Sequence, residues 1–331
     1  MRSTRMLFAA MAMMIGATQA QALSYSGLYV FGDSLVDAGN AYYGTMGAQA
    51  SPANGYYNGR FSNGYNFADY VGELVTGAPT QPFLTGGDNV AVGGALTQYV
   101  PGESSPSFPA QLTYFLGSPA PTIASDALVL VTFGGNDVRA TATTGGTVDF
   151  TAASTTLLTG LETLYGLGAR NFVIVGSPDI GLLPSAQPLG AIPGRLDALS
   201  KRSRDISALF AGDATTLDAL PGTDVTFFDL YDWEHDLLDN LTAYGLGGLD
   251  TTTPCQVVGG GSPQLSNCAN SLYFDGIHPT TQIHKLIGEA IVGELAGVPE
   301  PASWGMMILG FGAIGWRLRR REPAGAAVIA A

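Results

Sequence analysis

Ser34 stands in VFGDSLVDAGN (Val30–Asn40), just beyond the glycine that breaks an apolar run. A serine hydroxyl is a weak nucleophile unless a base takes its proton. Acyl transfer also needs a group to orient that base and N–H donors for an oxyanion. The chain holds three histidines, His235, His278 and His284. His278 lies in YFDGIHPTT, with Asp275 three residues before it and Pro279 after it. An aspartate so placed can fix the ring's tautomer and stabilise the imidazolium that forms. His284 falls inside an amphipathic stretch and reads as a helical residue, exposed or packed. His235, among the acids of YDWEHDLLDN, reads as a surface residue. Asp275 and His278 are therefore the expected partners of Ser34.

Two further segments offer oxyanion donors. NVAVGGAL ends an apolar run at Gly93-Gly94 and leaves a backbone N–H open to close approach. LVTFGGNDV ends another at Gly134-Gly135-Asn136-Asp137 and adds a neutral side-chain amide. Either Gly-Gly pair alone reads as a tight turn; with Ser34 and Asp-x-x-His they make a set. No C-x-x-C or H-E-x-x-H occurs, so no metal site is expected. The G-x-S-x-G elbow is absent, which counts against the α/β-hydrolase fold. Gly310, Gly312 and Gly315 spell G-x-G-x-x-G, but no strand leads in and no acidic partner follows.

These residues need a scaffold that delivers them to one edge. Five short runs rich in Val, Ile and Phe read as buried parallel strands: Leu28–Phe31, Asn89–Val92, Leu128–Phe133, Phe172–Val175 and Val225–Leu230. Apolar residues at three- and four-residue intervals predict helices over Thr155–Ala169, Gly194–Gly212 and Thr281–Gly297. Strands alternating with helices imply a parallel sheet covered on both faces, with its site at the carboxyl ends of the strands. Ser34, Gly93-Gly94 and Asn136 each follow such an end. The Gly/Pro/Ser-rich stretches Thr45–Gly64 and Thr97–Phe108 read as surface loops walling the site.

Both ends of the 331-residue chain read as processing signals. Arg2 and Arg5 precede an apolar run, and Ala20-Gln21-Ala22 has the small-x-small pattern of a cleavage site, so residues 1–22 form a secretory signal. At the other end Pro299-Glu300-Pro301 is followed by a mostly apolar stretch over 302–316. Trp304 and Trp316 flank it, and arginines follow at 317, 319, 320 and 321. That is a short membrane anchor with a basic stop. One domain of residues 23–297 lies between. The whole chain has a net charge of −13, and six of its 14 Lys and Arg residues sit in the two tails. The acidic body repels nucleic acid and anionic headgroups. Cys255 and Cys268, a close pair in a Gly/Ser/Asn-rich loop of an exported chain, are expected to form a disulfide.

The sequence resembles the SGNH hydrolases, the GDSL-type lipase/esterase family. Its four blocks read here as FGDSLVDAGN, NVAVGGA, GGND and DGIHPT, and NGRFSNGYNFADYV (Asn58–Val71) is similar to a stretch following the first block in larger members. The resemblance covers roughly residues 25–296. It implies a flavodoxin-like three-layer α/β/α fold with a five-stranded parallel sheet in the order 2-1-3-4-5. It also implies Ser34 as nucleophile, His278 as base and then acid, and Asp275 as orienting group. The oxyanion donors would be Ser34 N–H, Gly94 N–H and the Asn136 side chain; no cofactor is needed. The C-terminal segment resembles a PEP-CTERM sorting tail, which implies transient inner-membrane tethering and cleavage near Pro299–Pro301 by an exosortase. The expected activity is hydrolysis of a small-molecule, lipid or glycan ester at the cell surface or outside the cell. The rivals are a carbohydrate acetylesterase acting on exported polysaccharide and a catalytically idle surface protein.

Overall fold

Four apolar runs pair in parallel as β1 (Leu28–Gly32), β2 (Leu128–Thr132), β3 (Asn171–Val175) and β4 (Asp224–Phe228), in the order β1-β2-β3-β4. The computed structural model describes residues 23–144, 149–256 and 265–297. The expected signal (1–22) and the sorting tail with its apolar stretch (302–316) lie outside the described residues. β2 is buried at every residue, as a central strand covered on both faces must be.

The helices are α1 (Asn40–Gly44), α2 (Phe67–Thr76), α3 (Phe108–Leu116), α4 (Gly135–Thr144), α5 (Phe150–Gly166), α6 (Arg195–Asp218), α7 (Leu230–Asp239) and α8 (Thr281–Leu295). α2 and α8 pack together on one face of the sheet; α3, α5 and α6 cover the other. This is the expected three-layer α/β/α arrangement. Phe31 of β1 meets Phe108 and Phe115 of α3 edge-on, with ring centroids 5.9 and 5.7 Å apart.

Capping accounts for several boundaries that differ from the sequence expectation. α5 begins at Phe150 rather than Thr155 because the Asp149 carboxylate accepts the N–H groups of Thr151 and Ala152. β4 stops at Phe228 because Asp229 caps α7 through Asp232 N–H. α6 runs through Gly212 to Asp218; an interior helical glycine costs only about 1 kcal/mol, and no cap follows it.

Among the described residues the sheet has four regular strands, not five. The expected second strand, Asn89–Val92, still lies along the free edge of β1: Val90 N–H donates to Val30 O at 2.7 Å and Val92 N–H to Gly32 O at 3.1 Å. Its outward side is closed partly by main chain, with Phe83 N–H donating to Asn89 O at 2.8 Å and Asn89 N–H to Gln81 O at 3.1 Å, and partly by a side chain, with Asn40 Nδ2 donating to Asn89 O and Ala91 O at 2.7 and 2.9 Å. Gly93 N–H turns away to Asp37. The run is thus too short and too side-chain-bound to form a regular ladder. Counted as a strand it restores the order 2-1-3-4-5, and Asn40 seals an edge that would otherwise invite pairing.

At the start of α2, Asn66 and Asp69 form a capping box. Asp69 also holds the buried Arg60 guanidinium through two hydrogen bonds of 3.0 and 3.1 Å. Removing either partner would strand a buried charge, which costs about 3–5 kcal/mol. The pair fixes the loop over residues 56–66 against the body of the fold.

Candidate active site

β1 ends at Gly32 because nothing larger fits. A Cβ there would lie 2.6 Å from Val36 Cγ2 and 2.7 Å from Thr132 O. Gly32 is thus required by close packing rather than by an unusual backbone angle. Gln111 of α3 clamps the same residue, accepting Gly32 N–H at 3.0 Å and donating to Gly32 O at 2.8 Å. Asp33 Oδ1 accepts Leu35 N–H at 3.0 Å and closes the turn that lifts Ser34 to the carboxyl edge of the sheet.

The sequence-expected trio meets there. Ser34 Oγ lies 2.8 Å from His278 Nε2, and His278 Nδ1 lies 2.7 Å from Asp275 Oδ2. Ser34, Asp275 and His278 are 8, 6 and 5 % exposed, so the line is largely screened from water. Burial opposes ionisation of Asp275, but the His278 ring and the N–H groups of His278 and Ile277 outweigh it and hold the carboxyl at about 2. An ionised Asp275 accepts a hydrogen bond from Nδ1–H and so keeps the proton on Nδ1, leaving Nε2 as acceptor for the Ser34 hydroxyl.

Three supports stand behind this line, and of them only the pairing of Cys255 with Cys268 was expected from the sequence. The Tyr56 hydroxyl donates to Asp275 Oδ2 at 2.9 Å. Phe61 lies against the His278 ring with centroids 5.1 Å apart, and Tyr56 meets Phe61 and Phe274 edge-on. Cys255 and Cys268, paired with each other, pack with Phe274 and Tyr56 behind the acid. The only signal for Tyr56 and Phe61 is their place in and just before NGRFSNGYNFADYV. Nothing in a lone tyrosine announces which carboxylate it will reach.

Of the two glycines that could supply an oxyanion donor, the geometry separates Gly94 from Gly93. Gly93 N–H is taken by Asp37 Oδ2 at 2.9 Å, whereas Gly94 N–H and Ser34 N–H have no protein acceptor among the described residues. Gly94 has φ +83°, a conformation side chains resist, and a Cβ there would sit 2.8 Å from Ser105 Oγ. Asn136, at the start of α4, reaches the same place: its Nδ2 donates to Ala95 O at 3.1 Å and to Asp33 Oδ2 at 3.3 Å. Arg139 Nη1 donates to Asn136 Oδ1 at 2.9 Å and fixes which way the amide points. Asp137 ties the two strand ends together by accepting Thr97 N–H at 3.1 Å and Thr97 Oγ1–H at 2.9 Å. Asp33 is buried beside Asn136, and its carboxyl is pushed up to about 6 by burial, against the pull of Leu35 N–H and His278.

The other histidines stay out of the site. His284 is buried on α8 against Phe67, and burial drives its ring down to about 3. His235 Nε2 lies 3.0 Å from Asp179 Oδ2 on a half-exposed flank, stacked on Tyr231. Among the described residues, no three His, Cys, Asp or Glu side chains gather as metal ligands, and no helix is long and apolar enough to cross a membrane.

The family model for GDSL-like lipase/acylhydrolase matches residues 28–291, and that for the PEP-CTERM protein-sorting motif matches residues 297–321. The second match marks an exported protein whose sorting tail is processed by an exosortase. A GDSL esterase/lipase of Arabidopsis thaliana is 26% identical, covering 82% of this chain and 90% of the relative. GDSL esterase/lipase 7 of the same plant is 26% identical over 83% of this chain and 90% of its own. Among solved structures, the acetylxylan esterase Axe2 of Geobacillus stearothermophilus matches with a TM-score of 0.46 and 13% identity, over 83% of this chain and 96% of that one. A putative GDSL-like lipase from Parabacteroides merdae matches with a TM-score of 0.42 and 14% identity, over 84% and 98%. With four blocks in order and a family model spanning nearly the whole described chain, this protein belongs to the GDSL-like lipase/acylhydrolase family.

Proposed function

We propose that the protein is a serine carboxylic-ester hydrolase that works through an acyl-enzyme. The observation that carries this reading is the unbroken hydrogen-bonded line from Ser34 Oγ through His278 to Asp275. Ser34 attacks the ester carbonyl as His278 Nε2 takes its proton. Asp275 stabilises the imidazolium without itself being protonated. Negative charge on the tetrahedral oxygen is met by Ser34 N–H and Gly94 N–H, and by the Asn136 amide as it gives up its long 3.3 Å bond to Asp33; each such donor contributes roughly 2.7–4 kcal/mol. His278 then protonates the departing alkoxide. Water, deprotonated by the same ring, attacks the acyl-Ser34 ester and releases the acid, so the hydroxyl is regenerated.

The setting we infer is the cell surface or beyond. The N-terminal signal is removed by signal peptidase near Leu23, and the tail tethers the chain in the inner membrane until it is cut near Pro299–Pro301. Replacing Ser34→Ala should lower turnover of a chromogenic short-chain ester by a factor on the order of 10³ or more, with the thermal transition retained. Undiminished turnover would overturn the assignment.

A further inference from the structure

Outside the catalytic line, α1 and the loop that follows it wall a cleft of about 420 Å³. Ser34, Gly94, Asn136, Asp275 and His278 take no part in its walls. Four tyrosines line it in two edge-on pairs: Tyr42 with Tyr43, ring centroids 5.3 Å apart, and Tyr57 with Tyr65, 5.6 Å apart. The Arg60 guanidinium lies over the Tyr65 ring, 5.9 Å from its centroid. Arg60 is the one charged residue of the lining, and the buried Asp69 carboxylate meets its charge at 3.0 Å. The cleft therefore offers a ligand no net charge, although the whole chain carries −13.

Its polar groups are numerous and uncommitted. Among the described residues, the hydroxyls of Tyr42, Tyr43 and Tyr57 and the amides of Asn58 and Gln81 make no hydrogen bond to the protein. The backbone that presents them is fixed in advance. Asn58 has φ +47°, a left-handed conformation that asparagine tolerates better than most residues, and Arg60 Nη1 donates to its carbonyl at 3.3 Å. A wall preformed in this way spares a ligand the cost of ordering a loop.

We propose that this cleft is a binding site for a neutral glycan, separate from the catalytic line. Phenol and amide heads both donate and accept, which matches the adjacent hydroxyls of a sugar. The carbon-bound hydrogens of a sugar ring carry slight positive charge and pack on the negative faces of aromatic rings. A charged ligand finds no countercharge here. A proline-rich peptide also packs on tyrosines, but its backbone has no N–H and leaves the Asn58 and Gln81 oxygens without donors. A cavity of about 150 Å³ holds one six-carbon ring, so this cleft seats about two or three sugar rings.

Glycan binding is independent of the esterase reading, so it is measured by calorimetry on Ser34→Ala protein. The probes are cellotetraose, maltotetraose, xylotetraose and mannotetraose, with tetragalacturonate and decaproline as the charged and peptide alternatives. At least one neutral tetraose should saturate the protein with a Kd on the order of 0.1–1 mM. Tyr43 and Tyr57 are 50 and 39 % exposed, so their truncation leaves the core intact. Adding Tyr43→Ala or Tyr57→Ala should each weaken that binding at least tenfold. Tyr99→Ala, at a more exposed tyrosine outside the cleft, should leave it within twofold. With Ser34 present, Tyr43→Ala should hydrolyse p-nitrophenyl acetate within twofold of wild type. A smaller loss in either cleft variant, an equal loss in Tyr99→Ala, no saturation by any of the four tetraoses, or tighter binding of tetragalacturonate or decaproline would overturn the proposal.

Discussion

The Tyr56 hydroxyl donates to Asp275 Oδ2, the oxygen that also faces His278 Nδ1, at 2.9 Å. Asp275 Oδ1 is meanwhile filled by the N–H groups of Ile277 and His278 at 2.8 and 2.7 Å. Both carboxylate oxygens are thus held in place, and the imidazole can rotate only at the expense of its own 2.7 Å bond to Oδ2. Tyr56→Phe keeps the ring packed on Phe61 and Phe274 and removes only the hydroxyl. A hydrogen bond to a charged group is worth about 1.5–3 kcal/mol, so kcat should fall about tenfold or more. KM should be little changed, because Tyr56 acts through Asp275 and not on the ester. Steady-state kinetics on one ester separate the two parameters, and an unchanged kcat would contradict this role.

Asn136→Ala tests the side-chain oxyanion donor. Loss of one such donor costs about 10²–10³ in kcat with KM nearly unchanged. Arg139→Leu should give a smaller loss of the same kind, because Arg139 only orients the Asn136 amide through a 2.9 Å bond to its oxygen. A loss in KM alone for either variant would place Asn136 in substrate binding instead.

Much of this site was legible in the sequence because its groups come from short contiguous blocks. Asp275 and His278 lie within one turn, so their contact is a local matter. Ser34 and His278 are 244 residues apart, and that they would meet was expected from the parallel sheet and from the family resemblance together. Tyr56 and Phe61 could not be read. Their contacts depend on how the loop over residues 56–66 docks, and that docking depends on the buried Arg60–Asp69 pair. The fifth strand was expected from its apolar pattern, but its pairing is curtailed by Asn40 and Asp37, side chains whose reach no hydrophobic pattern reports.

Stability should fall as pH rises from about 4.5 to about 7. Glu234 is buried, and burial lifts its carboxyl from the ordinary 4.5 to about 7, against the pull of Asp179 N–H. In that window the folded state keeps a proton that the unfolded state has released, so raising pH favours unfolding, by roughly 3 kcal/mol across the window. Asp275, held at about 2, stays ionised throughout and does not contribute to this slope. Glu234→Gln retains an oxygen to accept Asp179 N–H, now 2.9 Å away, and removes the titration. Melting curves at pH 5 and pH 8 should differ by several degrees less in the variant than in the wild type. An undiminished difference would show that Glu234 does not titrate in this range.

The central claim is that Ser34 is an activated nucleophile, and its covalent chemistry tests this most directly. A fluorophosphonate probe, followed by intact-mass measurement and peptide mapping, should add one phosphonyl group to the Ser34 peptide. Ser34→Ala should abolish the adduct, and His278→Ala should slow its formation by orders of magnitude. An unlabelled wild-type protein, or an adduct that survives Ser34→Ala on another residue, would contradict the account.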